Sequence, residues 1–282
     1  MARAKALSLI QSGSTKVELS EISGLVIENI QKDTLSSGLK SQSYTGNPVA
    51  GSVEYKRFKN SESKTYGTAR TAGKGDAITI PPTTVTLDQH KEIVEEAAKF
   101  DLDAFGVGNI MARRADDHVN TVAAELDAAF FAKAVEEGAA FTPATGVTAV
   151  NEIVESLIQK LETVKNVNVR GVPRNMIRLV LSPVYYGKMR NFLDTTAGNA
   201  NVDTAAEDFT TFHGVRVYSS INLPETADAV VMIEGAVAQP VVIYPYKEPE
   251  KIPLSNDYGI SLFFDYGTKA LTPDLIFYYK AE

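Results

Sequence analysis

The feature that most constrains the fold is a long stretch, Asn109–Glu137, which contains neither proline nor glycine. Its apolar residues recur at steps of three and four, the spacing that places side chains on one face of an α-helix. At about 1.5 Å per residue such a helix spans roughly 43 Å, more than the average globular helix. Gly138 follows directly and predicts the C-terminal end. The stripe that we expect to face the core consists of Met111, Ala115, Val119, Val122, Leu126, Ala129 and Lys133.

The segments on both sides of this helix mix helical and strand patterns. Val17–Lys32 and Thr148–Lys165 have helical periodicity, and Ser182 with Pro183 begins a third helix that ends near Leu193. Lys91–Lys99 fits a helix or a strand. This mixture predicts an α+β fold with mainly antiparallel strands. The strands that we expect are Gly51–Lys59, Asp76–Leu87, Met176–Leu181, His213–Ser219, Ala229–Ile233, Val241–Tyr246, Ile260–Tyr266 and Leu275–Tyr279, with one helical turn at Gly235–Gln239.

The stretch Val49–His90 is the most informative one before the long helix. Its two predicted strands are separated by a polar segment that is too long for a tight hairpin turn. Pro81 and Pro82 restrict the second strand to the edge of a sheet. We expect little apolar surface on either strand, and such a pair is not stable alone in water. The stretch is therefore either a disordered insertion or an arm that becomes ordered on another subunit, and we favour the arm.

Charge is distributed unevenly along the chain. The net charge is −7, which argues against a dedicated nucleic-acid-binding protein. The segment Glu54–Asp76 holds six basic and three acidic side chains, so it carries +3 and the remainder carries −10. This basic protrusion on an acidic body is either a device for self-association or a solvated charged loop.

No pattern in the chain indicates catalysis. The absence of cysteine excludes disulfides, thiolate chemistry and cysteine-based metal sites. His90, His118 and His213 have no metal-ligand spacing, and we expect His118 to lie at a surface or an interface. The pair Gly106 and Gly108 lacks the third glycine of a dinucleotide-binding fingerprint. We therefore predict no catalytic residue, no cofactor and no metal site.

The sequence also predicts no membrane-spanning segment. The most apolar run, Ala229–Tyr244, contains Glu234 and Pro240, and no uninterrupted run reaches the length needed to cross a bilayer. The N-terminus has a basic start but an apolar run too short for a signal peptide.

The order of these elements resembles the major capsid proteins of tailed bacteriophages, whose fold is shared with encapsulins and the herpesvirus shell. The resemblance covers nearly the whole chain from about Val49. It rests on the hairpin arm, the long helix Asn109–Glu137 and the helix-plus-strand segment Thr148–Ser182. It also includes Phe212–Pro224, which has the Gly-x-x-Val strand and the following Leu-Pro of that family, and the closing strands in Asp257–Tyr279.

The resemblance implies a division of the chain into four parts. Residues 1–48 would form an N-terminal arm, and residues 49–90 an extended hairpin arm that reaches over a neighbouring subunit. A peripheral domain would comprise residues 91–144 and 241–282, with a spine helix at residues 109–137. Residues 145–240 would form an axial domain whose loop Thr195–Ala206 approaches the symmetry axis. Lys56, Arg57, Phe58, Lys59, Lys64, Arg70 and Lys74 would be the inter-subunit residues of the arm.

The resemblance also implies partners. Hexamers and pentamers of the chain would form an icosahedral head in the host cytoplasm, and the virion would enclose double-stranded DNA contacted without sequence specificity. The segment before the hairpin is too short for a built-in scaffold, so we expect a separate scaffolding protein and a portal. No feature identifies a crosslinking lysine–asparagine pair. Two alternatives remain, an encapsulin-type protein compartment and an unrelated soluble enzyme.

Overall fold

The protein is described here by a computed structural model. It describes residues 15–195 apart from 72, 74, 76 and 79, together with residues 202–203, 208–247 and 250–281. The spine helix extends two residues further toward the N-terminus than the sequence predicts, and the α+β class is confirmed. The helices are α1 (Thr15–Asp33), α2 (Leu35–Leu39), α3 (Thr68–Thr71), α4 (Lys99–Phe105), α5 (Val107–Glu137, the spine helix), α6 (Val150–Glu162) and α7 (Pro183–Thr195).

The strands belong mainly to two sheets. A six-stranded large sheet has the order β4-β16-β10-β5-β9-β8, and in the small sheet β14 pairs with β12 and β13 on one side and with β3 on the other. The strands are β1 (Ser52–Lys56), β2 (Pro82–Thr86), β3 (Gln89–Ala97), β4 (Ala139–Ala140), β5 (Ile177–Leu181), β6 (Val202–Asp203), β7 (Asp208–Phe209), β8 (Thr211–Phe212), β9 (Val215–Ser219), β10 (Ala229–Ile233), β11 (Val237–Ala238), β12 (Val241–Ile243), β13 (Glu250–Lys251), β14 (Tyr258–Tyr266), β15 (Lys269–Ala270) and β16 (Ile276–Tyr279).

The N-terminal half of the spine helix packs on the small sheet. The predicted stripe from Met111 to Leu126 is buried, whereas Ala129 and Lys133 are only partly buried. On the small sheet, the alternating residues Ile260, Leu262 and Phe264 point inward to meet this stripe. A period-2 strand and a period-3.6 helix thus bury their apolar faces against each other.

The C-terminal half of the spine helix packs on the large sheet instead. Phe130, Phe131 and Ala134 are fully buried and share a cluster with Val230 and Ile276 of that sheet. The opposite face of the large sheet is covered by α6 and α7, whose buried residues meet the alternate side chains of β5 and β10. The spine helix therefore connects two separate cores.

The segment before the arm is packed into the body. Ile22, Val26 and Ile30 of α1 are buried in the same cluster as the N-terminal half of the spine helix. Within the predicted N-terminal arm 1–48, residues 15–39 therefore do not protrude from the body, and residues 1–14 lie outside the described residues. The apolar face of α1 needs a partner surface, and the spine helix supplies it.

A buried polar junction fixes α2 at the midpoint of the spine helix. The carboxylate of Asp127 accepts hydrogen bonds from the backbone N–H groups of Leu35 (3.1 Å) and Ser36 (2.8 Å), which are orphan donors at the start of α2. The Ser36 hydroxyl donates to Gln239 Oε1 (3.1 Å), and Gln239 Nε2 donates to the carbonyl of Leu126 (2.8 Å). Burial raises the pKa of Asp127 above its usual range, although both backbone hydrogen bonds oppose this shift.

Several boundaries differ from the prediction. Residues 241–282 are divided between the sheets, because β12, β13 and β14 lie in the small sheet and β16 lies in the large one. Residues 235–239 contain a strand, β11, rather than a helical turn. His213 is in the turn before β9 with φ 47°, next to Gly214 with φ 86°. Most of the loop predicted at Thr195–Ala206 lies outside the described residues, and its short strand β6 pairs with β7, which follows the loop.

The prediction for His118 is wrong. Its side chain is only 1% exposed, because it faces the small sheet from the spine helix. Nδ1 lies 2.6 Å from the hydroxyl of Tyr246, and Nε2 lies 3.2 Å from Oε2 of Glu95. A hydrogen bond from Arg114 holds the pKa of Glu95 below its usual range despite partial burial. These contacts connect the spine helix to β3 and to the segment after β12.

Candidate assembly interface

The arm begins as a two-stranded sheet with one buried face. Strands β1 and β2 pair antiparallel from Ser52↔Thr86 to Lys56↔Pro82. Val53 and Tyr55 alternate with exposed neighbours, and both are buried with Val85 against Ala238 of the same chain. The expectation that these strands carry little apolar surface is therefore wrong. The base of the arm is ordered on its own subunit.

One glycine allows the base to lie close to the small sheet. A Cβ atom at Gly267, immediately after β14, would lie 1.8 Å from the carbonyl oxygen of Thr86 in β2. No side chain fits in that space, so the end of β14 can approach β2 only if residue 267 is glycine. The close approach fixes where the arm leaves the body.

The arm is anchored a second time just after β1. The guanidinium of Arg57 donates two hydrogen bonds to the carboxylate of Asp274, at 2.7 and 2.9 Å. The side chain of Asn166 also donates to Asp274, and the backbone N–H of Asn60 donates to the carbonyl of Val167 at 2.9 Å. Burial alone would raise the pKa of Asp274, but the hydrogen bonds from Arg57 and Asn166 outweigh it and leave the pKa below its usual range.

Removing the anchor should loosen the start of the arm. We expect Arg57→Ala to lower the free energy of unfolding by about 1 kcal/mol, because a bidentate but partly exposed ion pair is lost. Hydrogen exchange at the amide of Asn60 should accelerate, since that amide is bonded to the same part of the body. Lys59→Ala, at the exposed residue before Asn60, is the control. An unchanged exchange rate at Asn60 in Arg57→Ala would contradict the anchor.

The stability that the Arg57–Asp274 ion pair contributes should decrease only at low pH. Because the pKa of Asp274 is depressed in the fold, its contribution is complete above the unfolded pKa of about 3.9. The contribution is lost as the pH falls through the lower folded pKa. When the free energy of unfolding is measured as a function of pH, the values for the parent protein and Arg57→Ala should therefore become equal only in strong acid.

From Phe58 onward the arm exposes large side chains. Phe58 is 61% exposed, Tyr66 87% and Ile78 82%. Burying such side chains is favourable by roughly 1.5–3 kcal/mol each, so a surface that covers them would gain stability. Helix α3 lies between Tyr66 and Ile78.

The structure divides the predicted basic residues of the arm into two groups. Lys56, Lys59 and Lys64 are exposed, whereas Arg57 is held by Asp274 of its own chain. Arg70 lies in α3, but its side chain and the whole of Lys74 lie outside the described residues. Sequence reasoning missed the anchoring residues Asp274 and Asn166, because they lie far from Arg57 in the chain and carry no periodic signal.

The described residues contain no group of three or more histidine, cysteine, aspartate or glutamate side chains arranged to hold a metal ion. Within the same residues, no helix combines the length and apolarity that a membrane span requires. His90 Nδ1 lies 2.7 Å from Asp265, and His213 Nδ1 lies 2.8 Å from Glu155. Each of these histidines thus has a carboxylate partner in its own subunit.

Comparison with known proteins identifies the fold and the family. The family model described as phage capsid protein matches residues 82–280, and no curated protein shows significant similarity. The capsid structure of cyanophage P-SCSP1u is similar with 16% identity and a TM-score of 0.64 over 88% of each chain. A chain of Mycobacterium phage Che8 is similar with 18% identity and a TM-score of 0.60, over 86% of this chain and 93% of that one. The virus-like particle from Pyrococcus furiosus has 10% identity and a TM-score of 0.57, over 94% and 98%.

Proposed function

Because the chain belongs to the phage capsid proteins, we propose that it assembles as the major capsid protein, through hexamers and pentamers, into an icosahedral head. The observation that carries this proposal is the family match over residues 82–280, joined by a fold shared with a phage capsid structure along nearly the whole chain. The family match supports a structural shell protein over the alternative of an unrelated soluble enzyme. Virion localisation follows from it.

The arm has a defined role in this proposal. It is anchored on its own subunit up to Asn60, and its exposed part lies on a neighbouring subunit. The exposed side chains of Phe58, Tyr66 and Ile78 support this role, because a solitary subunit would leave them in water. The family match begins at Pro82 and therefore gives no support to the tip of the arm.

The remaining partners are those that the resemblance implies. A separate scaffolding protein and a portal would act during assembly, and double-stranded DNA would fill the head. The net charge of −7 repels the phosphates of DNA, so contacts to packaged DNA would be few and independent of its sequence. Residues 15–39 are packed on the spine helix and belong to the body of the subunit, which supports a scaffolding protein that is a separate chain.

A cellular protein compartment is the second candidate. The fold of the virus-like particle from Pyrococcus furiosus covers 94% of this chain, and a shell of this fold fits either a phage head or a compartment. The match to the phage capsid family favours the first candidate.

Electron microscopy of the purified protein tests the proposal. We expect hexameric and pentameric rings or closed particles of uniform diameter at high concentration. Particles isolated from infected cells should contain this chain and protect double-stranded DNA from nuclease. Particles that enclose a co-purifying protein and no DNA would favour the compartment. A protein that stays monomeric at all concentrations would contradict both candidates.

A further inference from the structure

A cavity of about 490 Å³ lies between the loop after β4, the start of α6, α7 and the end of β16. This volume is within the range of protein sites that bind small organic molecules. The N–H of Phe141 donates to the carbonyl of Tyr278 at 2.7 Å, and the N–H of Ala281 donates to Oδ2 of Asp228 at 2.9 Å. These bonds fix two walls of the cavity. None of the residues that line it belongs to the arm or to its anchor.

Much of the cavity wall is apolar. The side chains of Phe141, Pro143 and Ile153 line it, together with that of Tyr279. Phe141 and Tyr279 also pack against the core between the large sheet and its helices, so their rings are held in place. An aromatic or aliphatic group that entered the cavity would therefore be covered by apolar surface.

The positive end of α6 lies at the same cavity. Val150, the first residue of this thirteen-residue helix, lines the wall, and so does Thr148 just before the N-cap residue Ala149. An alanine provides no side-chain acceptor, so no capping hydrogen bond from residue 149 satisfies the N–H groups of the first turn. Such N–H groups and the helix dipole both attract anions. Many helices begin in this way, and a site requires further donors.

A buried tyrosine supplies a further donor. Tyr185 of α7 is only 2% exposed and belongs to the cavity wall, and its hydroxyl has no hydrogen-bond partner among the described residues. Burial raises the pKa of Tyr185, so the hydroxyl keeps its proton and remains a donor at neutral pH. By contrast, the hydroxyl of the neighbouring Tyr186 donates to the carbonyl of Phe209 at 3.1 Å. Because buried polar groups are nearly always paired, the Tyr185 hydroxyl indicates a partner outside the chain.

Two lysines add positive charge to the cavity. Lys188 of α7 and Lys280 just after β16 both line the wall. The amine of Lys188 lies 5.9 Å from the centre of the Tyr185 ring, so the cation and the buried tyrosine share one part of the wall. Lysine amines are common ligands of phosphate groups.

The nearby carboxylates oppose an anion only weakly. Asp228 pairs with Lys280 at 3.3 Å and accepts hydrogen bonds from the Ser182 hydroxyl and the Ala281 N–H, so its charge is already compensated. Glu152 is in the first turn of α6, but its side chain is exposed and is not part of the wall. The donors of the cavity therefore outweigh its acceptors.

We propose that this cavity binds a small organic phosphate monoester. Its phosphate would contact the first turn of α6, the Tyr185 hydroxyl and the amines of Lys188 and Lys280, and its organic group would lie against the apolar wall. A phosphate monoester fits better than a carboxylate, because three terminal oxygens and a charge near −2 match two lysines, a hydroxyl and a helix start. The inference goes beyond the proposed function and does not depend on assembly.

Phenyl phosphate is the probe for this site. Saturation-transfer NMR measures its binding to free subunits and to assembled particles alike. We expect an affinity at least about tenfold higher than those of inorganic phosphate, phenol and benzoate, since each of these lacks one part of the match. Equal binding of inorganic phosphate would show that the apolar wall takes no part, and equal binding of phenol would show the same for the donors. Equal binding of benzoate would contradict the choice of phosphate. Any of these results, or no binding of phenyl phosphate at millimolar concentration, would overturn the inference.

Tyr185→Phe separates a role in binding from a role in folding. Without ligand, the thermal midpoint should stay equal or rise, because the deleted hydroxyl has no partner in the chain. The affinity for phenyl phosphate should fall about tenfold, because a hydrogen bond to a charged group is lost. Tyr186→Phe on the same helix is the matched control, and it should lower the midpoint but leave the affinity unchanged. A lower midpoint or an unchanged affinity in Tyr185→Phe would sink the proposal.

Lys188→Gln tests the positive charge of the wall. The affinity for phenyl phosphate should fall at least about threefold at low salt, because one partly exposed cation is removed. Lys160→Gln makes the same change at an exposed residue near the other end of α6 and should have little effect. Equal affinities of the two variants would contradict a local role of Lys188. Failure of these binding tests leaves the proposed capsid function untouched, since electron microscopy tests that function separately.

Discussion

Leu126→Asp should leave the protein unfolded or insoluble. Leu126 is 3% exposed and lies at the middle of the spine helix, in the core between α1 and the small sheet. A carboxylate at this position would be buried without a partner, which costs several kcal/mol. Natural domains are stable by only about 5–15 kcal/mol, so one such change removes much of the margin. Thermal unfolding of the soluble fraction, together with the yield of that fraction, measures the effect.

A control on the same helix isolates the effect of burial. Ala124 is exposed on the spine helix. Ala124→Asp therefore introduces the same side chain into the same helix but leaves its carboxylate in water. We expect Ala124→Asp to cost less than about 1 kcal/mol, mainly through helix propensity. Equal thermal midpoints for Leu126→Asp and the parent protein would show that the stripe does not face the core.

The spine helix shows what the spacing of apolar residues can predict and what it cannot. The stripe from Met111 to Leu126 is predicted correctly, because its residues form one buried cluster with α1 and the small sheet. The prediction continues the stripe to Ala129 and Lys133, whereas Phe130, Phe131 and Ala134 are the residues that become buried. The helix passes from the small sheet to the large one at this point, and its buried face changes with its partner. A sequence period cannot reveal such a change.

For the arm, the sequence underestimates the apolar surface, whereas for the spine helix it extends the apolar stripe too far. The alternation of buried Val53 and Tyr55 with exposed neighbours is visible in the sequence, but their partner Ala238 lies far along the chain. Judged alone, the two strands carry too little apolar surface to be stable. The buried member of the cluster that does not belong to the arm, Ala238, comes from β11, a strand that the sequence predicts as a helical turn. One wrong element thus concealed the contact that orders the base of the arm.

His118 illustrates why polar residues on a helix face are difficult to assign. In the sequence it follows Asp116 and Asp117, and this polar context predicts a position at a surface or an interface. In the fold its ring is buried between the spine helix and the small sheet, where Nδ1 lies 2.6 Å from the Tyr246 hydroxyl and Nε2 lies 3.2 Å from Oε2 of Glu95. Buried polar groups need such partners, and the partners of His118 become visible only in three dimensions.

Replacing residues 61–80 with a short Gly-Ser turn should abolish shell assembly and leave the body folded. The structure sets these limits, because Arg57 and Asn60 belong to the anchor on the body and should be retained. Tyr66 and Ile78, both largely exposed, are removed, so the subunit loses contact surface for its neighbour but little of its own core. The thermal midpoint should change by no more than a few degrees, while electron microscopy should show no closed particles.

The reason for so large an effect is the repetition of the contact. Each exposed ion pair in the arm is worth only about 0–1 kcal/mol, and each apolar side chain somewhat more. In the proposed shell every subunit would make this contact with its neighbour, so a modest loss per subunit would be multiplied over the particle. A variant in which a Gly-Ser segment of equal length replaces residues 61–80 keeps the reach of the arm but not its side chains. If that variant assembles normally, the side chains of the arm do not bind the neighbour, and if the shortened variant also forms normal closed particles, the arm has no part in assembly.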